Sequence, residues 1–297
     1  MKSMVNSMTN GKKLFRRDFL KLLKVGAIDL SLLAAGGAVW SFLLEPNWVK
    51  IEHVNLRLPR LTPEFSGIRI AQISDIHMGG WMNAERLQMV VDLVIGQSPD
   101  FLFLTGDFLV GHFFDKNSEQ YLQDLISILS PLAKSIPSFG ILGNHDYWTS
   151  AGAVRAMLKS CGIVELANSI FTISRGKEKL HFCGVDDIWE GHVRLDGVVD
   201  KLKDNSVAIL LAHEPDFADI SAETSRFDLQ VSGHSHGGQV VFPFYGPPIL
   251  PYLGQKYHTG LYQVGNMFQY TNRGVGMAML PVRFNCPPEI TLFTLNI

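Results

Sequence analysis

Five compact apolar runs in this chain each end on a short polar motif made from Asp, Asn, His and Gly. Ile68–Ile73 leads into Asp75-Ile76-His77, Phe101–Leu104 into Gly106-Asp107, and Phe139–Leu142 into Gly143-Asn144-His145-Asp146. Val207–Leu211 is followed by His213, and Leu229–Val231 by Gly233-His234-Ser235-His236. Apolar runs of this length, closed by turn residues, read as buried strands. In open α/β sheets, ligands gather beyond the C-terminal ends of the strands. All five motifs therefore point to one place. A dry core would not tolerate them, because burying polar and charged groups without partners is costly.

The remaining pattern predicts what surrounds those strands. Asn83–Gln97 sets Leu87, Val90, Val91 and Val94 at helical spacing, and Ser118–Lys134 does so with Leu122, Leu125, Ile126 and Leu129. Ser150 is placed to cap a further helix that runs to Cys161, with Gly162 as its stop. Strands alternating with helices define an α/β class. Toward the C-terminus strands prevail: Ile170–Ile173, Leu180–Cys183, Phe268–Thr271 and Ile290–Leu295. Residues 242–260, rich in Pro, Gly and aromatics, read as a long ordered loop that forms a pocket wall, a membrane-edge surface or plain packing.

Carboxylate and imidazole donors without thiolates suit zinc, manganese or iron. The alternate spacing of Asp75 with His77, and of His234 with His236, sets each pair on one side of an extended backbone. Gly106, Gly143 and Gly233 permit close backbone approach where the polar residues leave their strands. With 297 residues, 46% of them hydrophobic, the chain needs no covalent staple. Its 26 Lys and Arg nearly balance 28 Asp and Glu, so no nucleic-acid partner is expected. Cys161, Cys183 and Cys286 are too scattered for a disulfide framework or a zinc ribbon and read as packing residues.

The N-terminal part, residues 1–47, reads as an address or an anchor ahead of a catalytic domain spanning 48–297. Residues 11–24 carry Lys12, Lys13, Arg16, Arg17, Lys21 and Lys24, and residues 25–44 then run apolar with Asp29 as the sole charge. Such a stretch, at 1.5 Å per residue, matches a hydrocarbon core of about 30 Å. The block Arg16-Arg17-Asp18-Phe19-Leu20-Lys21 resembles a twin-arginine export signal, although Phe15 replaces its usual Ser or Thr and no A-x-A cleavage site follows. The positive charges put residues 11–24 in the cytoplasm, so a spanning segment at 25–44 would leave the following domain exported or facing outward. A monotopic anchor on the cytoplasmic face is the alternative.

Taken in order, Asp75-x-His77, Gly106-Asp107, Gly143-Asn144-His145-Asp146, His213 and Gly233-His234-x-His236 resemble the calcineurin-like metallophosphoesterases from about residue 67 to 240. Gly237-Gly238-Gln239, Phe244-Tyr245-Gly246-Pro247, Asn272-Arg273-Gly274 and Pro288-Glu289-Ile290 resemble the bacterial membrane-associated branch of that family. The branch includes general phosphodiesterases and enzymes that cleave the pyrophosphate of UDP-2,3-diacylglucosamine in lipid A synthesis. The resemblance implies a four-layer α/β/β/α sandwich with a dinuclear metal site at the strand ends. One divalent metal ion would be held by Asp75, His77, Asp107 and His236, and the second by Asp107, Asn144, His213 and His234. Asp107 would then bridge the pair.

Two cations about 3.5–4 Å apart would make hydroxide available from a shared water near neutral pH and neutralise charge on the phosphoryl oxygens. His145 would stabilise the transition state or protonate the leaving oxygen. Asp146 would orient His145, support a ligand or serve the turn, and Glu214 and Asp216 would stand outside the ligands. Arg273 and Arg283 are candidates for holding a substrate phosphate, with salt bridges as the alternative. The expected substrate is a phosphodiester or pyrophosphate, lipid-linked if the apolar leader and the 242–252 loop act together. Two readings compete: a non-catalytic membrane binding protein, which the intact motif set opposes, and a nuclease, for which too little chain follows residue 240.

Overall fold

The computed structural model describes residues 16–111, 114 and 116–297, so the expectations placed on residues 1–15 lie outside it. The chain enters as α1 (Arg16–Val39), followed by single turns at Trp40–Leu44 and Glu45–Asn47. Next come β1 (Lys50–Arg57), β2 (Arg69–Ile73), α2 (Ala84–Gly96), β3 (Phe101–Thr105), α3 (Ser118–Ser135), β4 (Ser138–Ile141) and α4 (Asn144–Cys161). The second half holds β5 (Val164–Glu165), β6 (Ser169–Arg175), β7 (Glu178–Gly184), α5 (Leu195–Val199), β8 (Val207–Leu211), α6 (Ala218–Glu223) and β9 (Leu229–Ser232). It closes with β10 (Gly260–Val264), β11 (Met267–Thr271) and β12 (Glu289–Asn296).

These strands form two six-stranded sheets, ordered β1-β12-β2-β3-β4-β5 and β10-β11-β9-β8-β7-β6. Strands β2 to β5 run parallel, as do β7, β8, β9 and β11. Side-chain alternation divides each strand between two cores. Ile70, Phe103, Phe139 and Phe293 point into the space between the sheets, where they meet Phe182, Ile209, Leu211 and Val231. Ala71, Ile73, Leu102 and Leu104 face the other way, onto Val90 and Val94 of α2, Leu125 of α3 and Leu158 of α4. On the far side, Cys183, Ala208 and Leu210 pack under Val198 of α5 and Ala218 of α6. The result is the four-layer α/β/β/α sandwich, and its parallel strands bring their C-terminal ends to a common edge.

The helix expected from Ser150 to Cys161 is present but starts earlier. α4 begins at Asn144 and breaks at Ser150, whose backbone is extended (φ −172°, ψ 95°). The Ser150 hydroxyl accepts the Ala153 N–H at 3.3 Å, so it caps the second segment, and Gly162 ends that segment at φ 77°. The first segment alone carries Asn144, His145 and Asp146 to the sheet edge.

α1 projects its apolar side chains uncovered: Leu30, Leu32 and Leu33 are exposed. Phe19–Asn47 is long and apolar enough to cross a membrane by length and composition. Its base is tied to the sandwich. Buried Glu45 accepts the N–H groups of Asn285 (2.9 Å) and Cys286, and the Ser41 carbonyl accepts that of Arg283 at 3.0 Å.

Candidate metal centre

Turns after five parallel strands deliver the polar motifs to one spot. Asp75, His77, Asp107, Asn144, His213, His234 and His236 are all buried there, and His145 is half-buried. Their donor atoms fall into three overlapping groups, each with every pair within 4.8 Å: Asp75–His77–His236, His77–Asp107–His145 and Asp107–His213–His234. Asp107 belongs to two of them. His77 Nε2 lies 3.0 Å from His236 Nε2, which lies 3.3 Å from Asp75 Oδ1. Asp107 Oδ2 stands 3.2 Å from His213 Nε2 and 3.6 Å from His77 Nε2.

Backbone hydrogen bonds fix these positions. Asp75 accepts the His234 N–H with both oxygens (3.0 and 3.1 Å), and Asp107 Oδ1 accepts the His145 N–H at 2.9 Å. Two imidazoles face backbone carbonyls: His213 Nδ1 lies 2.6 Å from Thr105 O, and His234 Nε2 lies 2.8 Å from Tyr252 O. Each of those nitrogens carries the proton, because a carbonyl only accepts, which leaves Nδ1 of His234 with a free lone pair and turns Nε2 of His213 toward Asp107 Oδ2. Close approach explains two of the glycines. A Cβ on Gly143 would lie 2.4 Å from Asp107 Oδ1, and one on Gly233 would lie 2.2 Å from Asp75 Oδ2. Asp75, His77, Asp107, His234 and His236 adopt φ between 50° and 69°, the left-handed region that residues with a side chain rarely occupy.

Burial lowers His77 to about 3 and takes His236 well below the ordinary imidazole value, so both are neutral. Burial, with the Asp107 charge adding to it, pushes Asp75 up to about 7. Burial also opposes charge on Asp107, but its pairing with His213, together with His145 and His77, outweighs that and holds the carboxyl well below its usual range. The same pairing raises His213 well above an ordinary histidine against the effect of burial. The donor set fits a cation on independent grounds. Asn144 Oδ1 is buried with no hydrogen-bond partner among the described residues, which is rare unless something else is bound. Imidazole nitrogens, carboxylates and an amide oxygen are the ligands of zinc, manganese or iron.

Asp146 is a clamp. Its oxygens accept the N–H groups of Gly143 (3.0 Å), Asp107 (2.9 Å), Phe108 (2.8 Å) and Leu109 (3.3 Å), fastening the start of α4 to the turn after β3. Glu214 is buried and accepts from Ile188 and Trp189, while Asp216 accepts the N–H groups of Gln255, Lys256 and Tyr257. Arg273 pairs with Glu52 (2.8 Å) and Glu289 (2.9 Å). Arg283 is fully buried and donates to the carbonyls of Arg273, Gly274, Gly276 and Cys286.

An aromatic rim also borders the centre. Trp148 lies 4.7 Å from the His145 ring, and Trp189 lies 5.4 Å from Trp148, 5.6 Å from His234 and 5.4 Å from Tyr252. Trp189 was not among the residues expected at the site, although a signal was present. β7 is parallel to β8, so the segment after Gly184 opens onto the same edge as the other motifs. The neighbouring Asp187 is buried and is pushed up to about 9, by burial first and then by Glu214.

A two-sheet sandwich with Asp, His and Asn gathered at its parallel strand ends defines a metallophosphoesterase. The chain belongs to the calcineurin-like phosphoesterase family, whose profile matches residues 68–238, and it is a phosphoester hydrolase. Among its relatives, metallophosphoesterase YkuE of Bacillus subtilis is 35% identical over 288 residues, covering 96% of this chain and 99% of that protein. Phosphodiesterase YaeI of Escherichia coli is 29% identical over 94% of this chain and 98% of that protein. The transmembrane protein with metallophosphoesterase domain of Danio rerio is 28% identical over 89% of this chain, which covers 61% of that protein.

Proposed function

We propose that this chain is a dinuclear-metal hydrolase of phosphodiester or pyrophosphate bonds, acting at or near a membrane. The observation that carries the reading is the sharing of Asp107 between two donor groups, beside a buried Asn144 Oδ1 that lacks a partner among the described residues. On this reading Asp75, His77, Asp107 and His236 hold one metal, and Asp107, Asn144, His213 and His234 hold the other. Bound there, two divalent ions of manganese, zinc or iron supply a nucleophile from water near neutral pH and positive charge for the phosphoryl oxygens. The protein does the rest. The carbonyls of Thr105 and Tyr252 fix the tautomers of His213 and His234, and Asp146 holds the turn that aims Asp107. His145, 4.7 Å from the His77 ring, reaches the substrate and gives a proton to the leaving oxygen. Arg273 and Arg283 serve the frame in this reading, since their donors are directed at protein groups.

Membrane association draws support from the uncovered helix at Phe19–Asn47 and from the name of the Danio rerio relative. The basic residues ahead of the helix favour an outward-facing domain with a twin-arginine-type leader, and a monotopic anchor on the cytoplasmic face is the other arrangement. Within the class, UDP-2,3-diacylglucosamine is the specific alternative substrate, and it requires the cytoplasmic face.

The test strips the full chain of metal, reloads it with manganese, zinc or iron, and assays bis-p-nitrophenyl phosphate beside UDP-2,3-diacylglucosamine, with Asn144→Ala and His145→Ala as controls. Cleavage of the sugar nucleotide alone marks a lipid A enzyme. Cleavage of the generic diester alone marks a broad envelope phosphodiesterase. No cleavage of either, with any metal, refutes the proposal.

A further inference from the structure

Two loops beside the metal centre end in bare apolar tips. On the first, Phe244 is fully exposed, and Tyr245 and Ile249 are exposed by three-quarters; on the second, Met279 is 94% exposed and Leu280 is exposed as well. Soluble surfaces rarely gather such side chains without a partner. The two loops are one structure. Val241 N–H donates to Phe284 O (2.8 Å), Phe284 N–H to Gln239 O (2.9 Å), and Ala278 N–H to Gln239 Oε1 (2.7 Å).

The same segment receives the base of α1, through Arg283 on the Ser41 carbonyl and Asn285 and Cys286 on Glu45. Met279 therefore lies within roughly 14 Å of Arg283, whose N–H meets the base of the apolar helix at the Ser41 carbonyl, at no more than about 3.5 Å per residue. Phe244 is two residues from Phe242, whose ring packs 6.2 Å from Phe284. Trp40 and Trp48 form an edge-to-face pair at 6.0 Å at the same helix end, the residue type and position that mark the headgroup level of a membrane.

We propose that the loops carrying Phe244–Ile249 and Met279–Leu280 are a membrane-docking rim, inserted into the headgroup region of the bilayer that holds α1. The helix fixes where the membrane surface passes, and the hydrogen bonds above set both loop tips beside that level. The first loop also continues to Tyr252, whose carbonyl faces the His234 imidazole, so docking would bring the metal centre against the membrane surface. Combined with the proposed phosphoester reading, this makes the favoured substrate a phosphodiester or pyrophosphate whose other end is embedded in lipid. The docking itself does not depend on the phosphoester reading, but it rests on the proposed reading of Phe19–Asn47 as a membrane helix.

The test uses the full chain in vesicles of equal parts phosphatidylcholine and phosphatidylglycerol. A Phe244→Cys variant carries an environment-sensitive nitrobenzoxadiazole label, and Lys177→Cys serves as reference. Lys177 sits in the exposed β6–β7 turn, at the opposite end of the strands from the metal centre. The label at 244 should be at least about threefold brighter than at 177 and be quenched by lipids brominated in the upper acyl chain. Equal brightness at the two positions overturns the proposal. So does a bright label that brominated lipid fails to quench, since that would mean burial against a second copy of the chain.

A Phe244→Ser, Met279→Ser double variant should hydrolyse a water-soluble diester at the wild-type rate and a vesicle-borne diester about tenfold more slowly. An equal rate on both overturns the substrate consequence. If the wild type hydrolyses neither, the phosphoester reading fails, and the quenching result still decides the docking.

Discussion

Five residues of the metal centre pay for their position in backbone strain. Asp75, His77, Asp107, His234 and His236 hold left-handed φ values, each costing on the order of 1 kcal/mol for a residue with a Cβ. The turn is what swings each side chain off its strand and into the shared site. Asp146 secures the turn at Asp107 through four N–H groups, so its charge and shape both matter. Asp146→Asn should weaken metal retention by about 10–100-fold, read by chelator titration with metal analysis, while circular dichroism stays unchanged. Full retention would mean that the clamp has no influence on the ligands. The ligand motifs were legible because His, Asp and Asn clustered at the ends of buried strands have few roles besides holding a cation. The role of Asp146 was not, because three different functions share the same sequence and only distances separate them. Trp189 stayed hidden because a lone aromatic after a strand reads as packing.

At the scale of the element, legibility followed burial. The interior strands are compact apolar runs, and β8 matches its expected limits, Val207–Leu211, in full. β1 was not foreseen, since Lys-Ile-Glu-His-Val-Asn-Leu-Arg mixes polar residues onto both faces and buries only Leu56. β5 escaped as well, being two residues long. α4 shows how a local signal can be right and incomplete: Ser150 caps a helix that an earlier turn had already begun. Ser150→Ala should cost about 1 kcal/mol, seen as a lower urea midpoint with the slope unchanged. An unshifted midpoint would assign the break to packing alone. Glu45, also unforeseen, joins the apolar helix to the sandwich, and its truncation would strand the Asn285 and Cys286 N–H groups. Glu45→Ala should destabilise the chain by about 2–4 kcal/mol, measured by thermal unfolding in detergent. A loss under about 0.5 kcal/mol would mean that water replaces the carboxylate.

For the molecule as a whole, burial sets the chemistry of the thiols and the order of assembly. Cys161, Cys183 and Cys286 are unpaired and buried, and burial raises all three, Cys183 to about 12. A raised thiol stays protonated at neutral pH and becomes reactive only as the pH climbs toward that value. Iodoacetamide at pH 8 should therefore leave the folded protein unlabelled, while all three sites react in guanidinium, as mass spectrometry would show. Rapid labelling of the native protein would contradict the burial. The two sheets were legible only as a fold class, since strand order is a long-range property that no local pattern encodes. That order has a temporal side. β1, the strand nearest the apolar helix, has one partner in its sheet, β12, which begins at Glu289. β1 ends at Arg57, so more than 200 residues must be synthesised before it can dock. Until then β1 stays an unpaired tether between the helix base and the rest of the sheet, and β12 must slot between β1 and β2 to close it.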